Sequence, residues 1–251
     1  GGLAPYIADR PLYGLQDPHV VAGEPSTTDA DELAARYVSE IVRVQSSGPY
    51  HLLGWSVGGV LAHAIATLLQ ERGEEVAYLG VMDSSPYRED VAQTSARQPV
   101  DDGVHVVGDL LGGWRDLFDL GDDVHAFTPD ELSGIIRDQI SKMGLLEEVM
   151  VDRIMESFAL AGDISFSFRP KAFDGSIQVF TATEDKNNPA VIAEGWTPYV
   201  SGAVRNIDVR THHLGMADAS SLAIIGPNIE RALESAARRS PGPGIESDQI
   251  N

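Results

Sequence analysis

The stretch YHLLGWSVGGVLAHAIATLLQERG, residues 50–73, constrains the fold of this chain more than any other. It begins as an apolar run, passes through a serine between glycines, and continues with Leu61, Ile65 and Leu68 at helical spacing. That spacing places the three side chains on one face of a helix, and Gly73 is a typical residue just beyond a helix C-terminus. The stretch therefore predicts a buried strand that turns directly into a helix.

Four further apolar runs resemble this strand, and all are near-continuous, as expected for strands buried on both faces of a parallel sheet. The predicted strands are LYGLQ (12–16), YHLLGW (50–55), VAYLGVMD (76–83), IQVFTAT (177–183) and NIDVRT (206–211). Helical patterns alternate with them. Thr28 and Asp31 fit a capping box before one helix, and Pro227 starts or interrupts the last one. This alternation predicts an α/β fold with a mainly parallel sheet flanked by helices.

The region 86–173 breaks the alternation because it contains helical patterns and no convincing core strand. We expect a helical insertion between two core strands of a single domain, residues 1–251, followed by a disordered Pro- and Gly-rich tail at 240–251. The apolar side chains of the insertion either form its own small core or line a pocket that excludes water. They are Trp114, Leu117, Phe118, Met143, Met150, Met155 and Phe158.

The charge and the cysteine count exclude several classes of partner and chemistry. The chain carries 38 acidic and 18 basic residues, a net charge of -20, and such a surface repels the phosphate backbone of a nucleic acid. It has no cysteine, which excludes disulfides, a cysteine nucleophile and thiolate metal sites. With no membrane-spanning run and no visible secretory signal, we expect a cytoplasmic protein that binds neither nucleic acid nor a membrane.

The segment Gly54-Trp55-Ser56-Val57-Gly58 fits the pattern G-x-S-x-G of a nucleophile elbow. A sharp turn from strand to helix strains the central residue, requires small neighbours, and exposes the serine hydroxyl at the carboxyl end of the sheet. The alternative is a glycine-rich turn with an incidental serine, which the flanking strand and helix disfavour. The pattern predicts Ser56 as a nucleophile, with the Val57 N–H facing the oxyanion that develops during attack.

A serine nucleophile needs a base, and chain order points to the pair His212-His213. In enzymes with such an elbow, the histidine comes last and follows a strand, as this pair does. Only one of the two can point at Ser56, and the other is expected to be structural or exposed to solvent. The remaining histidines lie in less suitable places: His19, His51, His63, His105 and His125.

The acid that orients the imidazole has two candidates at strand ends. Asp83 ends the strand that follows the elbow helix, and Asp185 follows the next core strand, beside Glu184. The general arrangement of such hydrolases favours Asp185, but spacing alone leaves both open.

Two long segments resemble the thioesterase domains that end nonribosomal peptide synthetases, which have the α/β-hydrolase fold. GPYHLLGWSVGGVLAHAIATLLQERGEEVAYLGVMDSSP contains the elbow, an Arg-Gly near the helix end and a strand that ends in Asp-Ser. WTPYVSGAVRNIDVRTHHLGMADASSLAIIGPNIERAL contains a Trp and a Gly before a strand, a histidine and then Ile-Gly-Pro. The resemblance implies Ser56 as nucleophile, Asp83 as acid and His213 as base, and it identifies the helical insertion with the lid of the family.

Members of that family begin with a further strand and a loop, often His-Pro-x-Gly-Gly, that supplies a second oxyanion donor. The chain starts instead at Gly1-Gly2 and reaches LAPYIADRPLYGLQ almost at once, so we expect that strand and loop outside the residues given. We therefore expect the Val57 amide as the one oxyanion-hole donor within this sequence.

The resemblance also implies a function. A peptidyl chain would arrive as a thioester on the phosphopantetheine arm of a peptidyl carrier protein, move to Ser56, and leave as an acid or a macrocycle. The domain itself would need no cofactor or metal and would be monomeric in isolation. Three basic residues of the insertion could dock an acidic carrier protein: Arg137, Lys142 and Arg153.

Other functions stay open at this point. Stand-alone editing (type II) thioesterases clear misloaded carrier proteins and more often have histidine before the serine, so Trp55 favours the chain-releasing kind. A lidded serine esterase would have the same catalytic residues. A catalytically silent α/β-hydrolase fold used for binding predicts a broken triad, whereas all three members are present here.

Overall fold

The computed structural model describes residues 2–7, 10–86, 148–184 and 186–238, together with positions 134 and 138. Within these ranges the core is a sheet of four parallel strands in the order β1-β2-β3-β4. The strands are β1 (Tyr50–Trp55), β2 (Val76–Met82), β3 (Ile177–Ala182) and β4 (Val204–Val209). Each coincides with a predicted apolar run to within two residues, so the mainly parallel α/β architecture is confirmed.

The helices of the described ranges alternate with the strands. They are α1 (Pro18–Ala22), α2 (Ala30–Val44), α3 (Val57–Glu71), α4 (Glu148–Ser167), α5 (Ala190–Glu194) and α6 (Ala219–Ala237). Helix α3 ends as predicted, because Gly73 adopts a left-handed φ of 82° and donates its N–H to the Gln70 carbonyl at 2.9 Å. Helix α6 runs through Pro227 without ending there.

Both faces of the sheet are covered, which explains the near-continuous apolar runs. On β2, Leu79 and Val81 pack into the larger core formed with α2 and α3. Tyr78 and Met82 of the same strand point to the opposite face and pack into a second core formed with α6. Strand β2 is therefore fixed from both sides, and the carboxyl ends of the strands lead into the turns that carry the candidate functional residues.

The predicted strand at residues 12–16 is wrong, because this segment has no regular structure. Leu12, Tyr13 and Leu15 are 52%, 69% and 45% exposed. An apolar run becomes a strand only where a neighbouring strand completes its hydrogen bonds. In the described part of the chain, β1 forms the end of the sheet and pairs with β2 alone, so the segment does not pair with it.

The capping box predicted at Thr28 and Asp31 is also wrong. Helix α2 is capped by Asp29, whose Oδ1 accepts the N–H groups of Asp31 at 2.9 Å and Glu32 at 3.1 Å. An aspartate beside a threonine competes for the same role, since both satisfy the first free N–H groups of a helix.

Helix α4 is the described part of the predicted insertion, and polar contacts hold it to the segment around α1. The Ser157 hydroxyl donates to Asp17 Oδ2 at 2.6 Å, and His19 Nε2 lies 3.0 Å from Glu156 Oε2. The Arg153 guanidinium faces the Val20 carbonyl at 3.5 Å. The insertion as a whole stays a prediction.

Several predicted features lie outside the described ranges, which leave out 87–133, 135–137, 139–147 and 239–251. They include the tail and most residues named for the lid or for docking: Trp114, Leu117, Phe118, Arg137, Lys142 and Met143. Of the described helices, none combines the length and apolarity needed to cross a bilayer.

Candidate active site

The elbow lies where β1 ends and α3 begins. Ser56 is the residue before the helix and has φ 55° and ψ -130°, a conformation that non-glycine residues rarely adopt. Two backbone hydrogen bonds hold it there: Ser56 donates its N–H to the Met82 carbonyl at 3.0 Å, and Gly59 donates to the Ser56 carbonyl at 2.8 Å. The strained turn predicted from the sequence is present, with Val57 as the first residue of α3.

Glycine is required at two positions around Ser56, and only the first of them belongs to the pattern G-x-S-x-G. A Cβ on Gly54 would collide with the backbone of Gly58, and a Cβ on Gly59 would collide with the Ser84 side chain. A Cβ on Gly58 would meet no atom of the described residues within 4 Å. The turn therefore needs the first glycine of G-x-S-x-G and the glycine that follows the pattern.

Asp83 is the residue immediately after β2. It also has a positive φ, 45°, and its N–H donates to the Phe180 carbonyl of β3 at 2.7 Å. Its side chain is fully buried, and Oδ1 accepts the Ala182 N–H at 3.0 Å. Because a buried carboxylate is destabilised unless it is hydrogen-bonded or paired, the contacts of the other oxygen decide its role.

That other oxygen, Oδ2, lies 2.6 Å from Nδ1 of His213. His213 immediately precedes the 3-10 turn Leu214–Ala217, and its side chain is 20% exposed. Its ring packs against the ring of Trp55, with centroids 5.6 Å apart. The structure thus joins Asp83 to the histidine predicted as base and packs that histidine against the residue that precedes Ser56.

The two histidines of the pair have different surroundings. His212 is exposed, and its Nδ1 accepts the Gly215 N–H at 3.2 Å, a contact local to the turn. His213 alone of the two contacts the Asp83 carboxylate. The alternative acid, Asp185, lies outside the described residues, whereas the neighbouring Glu184 has an exposed side chain.

Sequence reasoning missed a second side chain that contacts this carboxylate. Lys186, in the turn after β3, places Nζ 2.8 Å from Asp83 Oδ2, the oxygen that His213 also contacts. The Lys186 side chain is only 19% exposed. No local pattern announces this contact, because it joins residues 103 positions apart. The available signal was that Lys186 closely follows the end of β3, the strand that pairs with β2, after which Asp83 comes.

The loop after Asp83 is held by Trp196, which is completely buried. Its indole N–H donates to the Ser84 carbonyl at 2.7 Å. Its ring also packs against His63 of α3, with centroids 4.9 Å apart. Trp196 therefore connects the interior behind α3 to the residue that follows the candidate acid.

His63 is buried and lies among aromatic rings. Its Nε2 contacts the Tyr199 carbonyl at 3.3 Å, and its Nδ1 has no hydrogen-bond partner in the described structure. Burial lowers the pKa of His63 to about 4, against a weaker opposing effect of the Tyr199 carbonyl. This histidine is neutral at physiological pH.

The described residues contain no group of three or more His, Asp or Glu side chains placed to hold a metal ion. A cavity of about 250 Å³ lies at the amino ends of β2 and β3, lined by Tyr78, Gln178 and Arg205 among others. It is at the opposite end of the sheet from Ser56, so it does not form part of the candidate active site.

Comparison with known families decides the assignment of the fold. Residues 3–223 match the model of the family described as "Thioesterase domain". The chain belongs to this thioesterase family. Its members are hydrolases, and the resemblance found in the sequence is confirmed.

Two much longer synthetases are similar to the chain over a small part of their length. It is 32% identical over 228 residues to a dimodular nonribosomal peptide synthase of Bacillus subtilis (strain 168), covering 90% of the chain and 9% of that protein. It is 32% identical over 244 residues to malpibaldin synthetase of Mortierella alpina, covering 93% of the chain and 4% of that protein. The thioesterase thus spans less than a tenth of the length of either relative.

Solved structures of thioesterase domains share the fold. The NocB thioesterase domain, in covalent complex with a fluorophosphonate nocardicin G analogue, is 24% identical with a TM-score of 0.61, covering 92% of this chain and 86% of that one. The Vlm2 thioesterase domain with a bound dodecadepsipeptide is 20% identical with a TM-score of 0.66, covering 92% and 85%. At these identities, the likeness establishes the α/β-hydrolase fold alone.

Proposed function

We propose that this thioesterase releases a peptidyl or depsipeptidyl chain from a carrier-protein thioester through an acyl-enzyme on Ser56. The observation that carries the proposal is the 2.6 Å contact between Asp83 Oδ2 and His213 Nδ1 at the sheet edge where the strained Ser56 turn lies. Such a pairing fixes the imidazole for general-base catalysis. The three residues have the chain order and the strand ends that the family resemblance implies.

The chemistry follows from the donors and acceptors at the site. A carboxylate accepts hydrogen bonds only, so Nδ1 of His213 carries a proton and Nε2 keeps its lone pair. Nε2 takes the Ser56 proton as Oγ attacks the thioester carbonyl. The Val57 N–H donates to the resulting oxyanion, and one such donor typically contributes ~3 kcal/mol. The C–S bond then breaks, and the pantetheine sulfur leaves with the proton from His213.

The acyl-enzyme has two productive fates. Water, deprotonated by His213, attacks the ester carbonyl and releases a free acid. An amine or hydroxyl of the bound chain can attack instead and release a macrocycle that lacks one water. The choice depends on which nucleophile reaches the ester, and the lid controls this by excluding water and folding the chain.

The partner we propose is a peptidyl carrier protein whose phosphopantetheine arm presents the thioester. Support comes from the relatives, in which the matched segment is a small part of a multimodular synthetase. The thioesterase binds no cofactor of its own in this proposal, since the arm belongs to the carrier. The domain acts as a monomer and covers the whole of residues 1–251, with the lid at 86–173.

The proposal is tested by incubating the protein with peptidyl thioesters and following the intact mass, beside a Ser56→Ala variant. We expect an acyl adduct on the wild type alone, and a product whose mass distinguishes acid from macrocycle. Hydrolysis of simple esters without any thioester turnover would replace the proposal with a lidded serine esterase. Preferential removal of acetyl groups from carrier proteins would favour an editing thioesterase.

A further inference from the structure

The buried carboxylate of Asp83 is shared by two nitrogen-containing side chains. His213 Nδ1 and Lys186 Nζ contact the same oxygen, Oδ2, at 2.6 and 2.8 Å. We propose that Lys186 is a positioning residue for the acyl transfer, which fixes Asp83 so that its carboxylate presents Oδ2 to His213. This inference rests on the proposed function, since it assigns a role within the same site.

The end of β3 binds Asp83 from two sides. The Ala182 N–H, at the last residue of β3, donates to Oδ1 at 3.0 Å, and Lys186 in the following turn donates to Oδ2. A carboxylate with one donor on each oxygen cannot rotate about its Cβ–Cγ bond without losing one of them. The rotation that would carry Oδ2 away from His213 is therefore opposed by the turn after β3.

Burial makes these contacts strong. The Asp83 side chain is fully buried and that of Lys186 is 19% exposed, so solvent screens their attraction only weakly. Taking a carboxylate out of water is unfavourable unless other donors replace the water, and a backbone N–H and an ammonium do so here. Lys186 thus holds the Asp83 carboxylate in place independently of His213, which must gain and lose a proton during each cycle.

The pair Lys171–Glu71 offers a matched control within the same chain. Its Nζ–Oε1 distance is 2.9 Å, close to that of Lys186–Asp83, but both side chains are about half exposed. Exposed pairs of this kind contribute little to stability, and this one has no contact with Asp83 or His213 among the described interactions. Lys171→Met removes a lysine–carboxylate pair without affecting the acid of the site.

The test compares Lys186→Met, Lys186→Arg and Lys171→Met by steady-state thioester kinetics and by the rate at which a fluorophosphonate labels the serine. We expect Lys186→Met to lower kcat and the labelling rate about tenfold with KM within twofold. Lys186→Arg should restore most of the loss, because it keeps a cation on Oδ2, and Lys171→Met should match the wild type.

A double-mutant cycle with Asp83→Asn separates positioning from a purely structural role. In the Asp83→Asn background, Lys186→Met should cause no further loss of labelling, since the group it positions is gone. Equal losses in both backgrounds, or a Lys186→Met protein that unfolds at a lower temperature but is labelled at the wild-type rate, would overturn the inference.

Thioester release and fluorophosphonate labelling test the proposed function and the role of Lys186 separately. A wild type that is labelled at Ser56 but releases no thioester would contradict the function, while the labelling rates would still judge Lys186. A wild type that the fluorophosphonate does not label would overturn both.

Discussion

Two regions of the molecule, the core around α3 and the carboxyl edge of the sheet, contain histidines in opposite surroundings: His63 and His213. His63 is completely buried, lies 4.9 Å from the Trp196 ring, and has one polar contact, to a backbone carbonyl at 3.3 Å. His213 is partly exposed, lies against Trp55, and contacts a buried carboxylate at 2.6 Å. Both histidines have an aromatic neighbour, so it is the contact with a carboxylate that distinguishes a candidate base from a core residue.

The comparison is tested most directly by replacing each histidine with glutamine. His213→Gln should lower the fluorophosphonate labelling rate at least ~10³-fold, because the proposed proton acceptor for Ser56 is lost. His63→Gln should leave that rate within a few-fold of wild type. His212→Ala serves as the control for the neighbouring turn and should also retain activity. Comparable losses in the three variants would remove the distinction between the histidines.

The second prediction concerns the pH dependence of stability. The pKa of His63 is about 4 in the folded protein, against about 6.5 in the unfolded chain, so the unfolded state binds more protons between these values. The free energy of unfolding should therefore fall as pH drops from about 6.5 to 4, with His63 contributing roughly 3 kcal/mol of that loss.

The measurement is chemical denaturation of wild type and His63→Leu at several pH values. The wild-type free energy of unfolding should fall more steeply than that of the variant across this window, and the two slopes should agree above pH 7. Parallel curves throughout would show that His63 takes up no proton on unfolding.

Trp196 connects the two regions, so its indole N–H is the third target. Trp196→Phe keeps an aromatic ring beside His63 but leaves the buried Ser84 carbonyl without its donor. We expect a loss of about 1–3 kcal/mol in the free energy of unfolding. Because Ser84 follows Asp83, we also expect a few-fold decrease in kcat. An unchanged kcat would show that the loop keeps the acid in place without this bond.

The smallest expected effect is that of Trp55→Phe. The indole N–H of Trp55 is buried without a hydrogen-bond partner in the described structure, so removing it releases no acceptor. A phenylalanine ring keeps most of the packing against His213, and the labelling rate should change less than about threefold. Trp55→Ala should have a larger effect, since it removes the ring. Equal rates in the two variants would mean that this packing does not orient His213.

Strands β2 and β3 could be predicted because each is a near-continuous apolar run, as burial on both faces requires, whereas β4 alternates apolar with exposed polar residues. The same composition at residues 12–16 misled the prediction, since Tyr13 and its neighbours have no strand to pair with among the described residues. Apolar patterning reports what a segment can bury, while strand formation also depends on a neighbour that the local sequence does not specify.

The site was predictable to different degrees for each residue. Ser56 lies in a local pattern that follows from the sterics of its turn, although the pattern also includes Gly58, where an added Cβ would meet no described atom within 4 Å. The pairing of Asp83 with His213 could be named only through a family resemblance, because spacing left Asp185 open. Lys186 could not be named at all, since a lysine in a turn is usually solvated and its contact exists only once β2 and β3 lie side by side.

The separation of Asp83 and His213 along the sequence also has a consequence during protein synthesis. The two residues lie 130 positions apart. At 5–20 residues per second, a ribosome needs on the order of 10 s to travel from the codon of one to the codon of the other. During that interval Ser56 has already been synthesised but lacks its proposed base, so on this proposal the nascent polypeptide carries an inert hydroxyl. Under the proposed function, the capacity to cleave acyl chains arises only after His213 has been synthesised and β4 has joined the sheet.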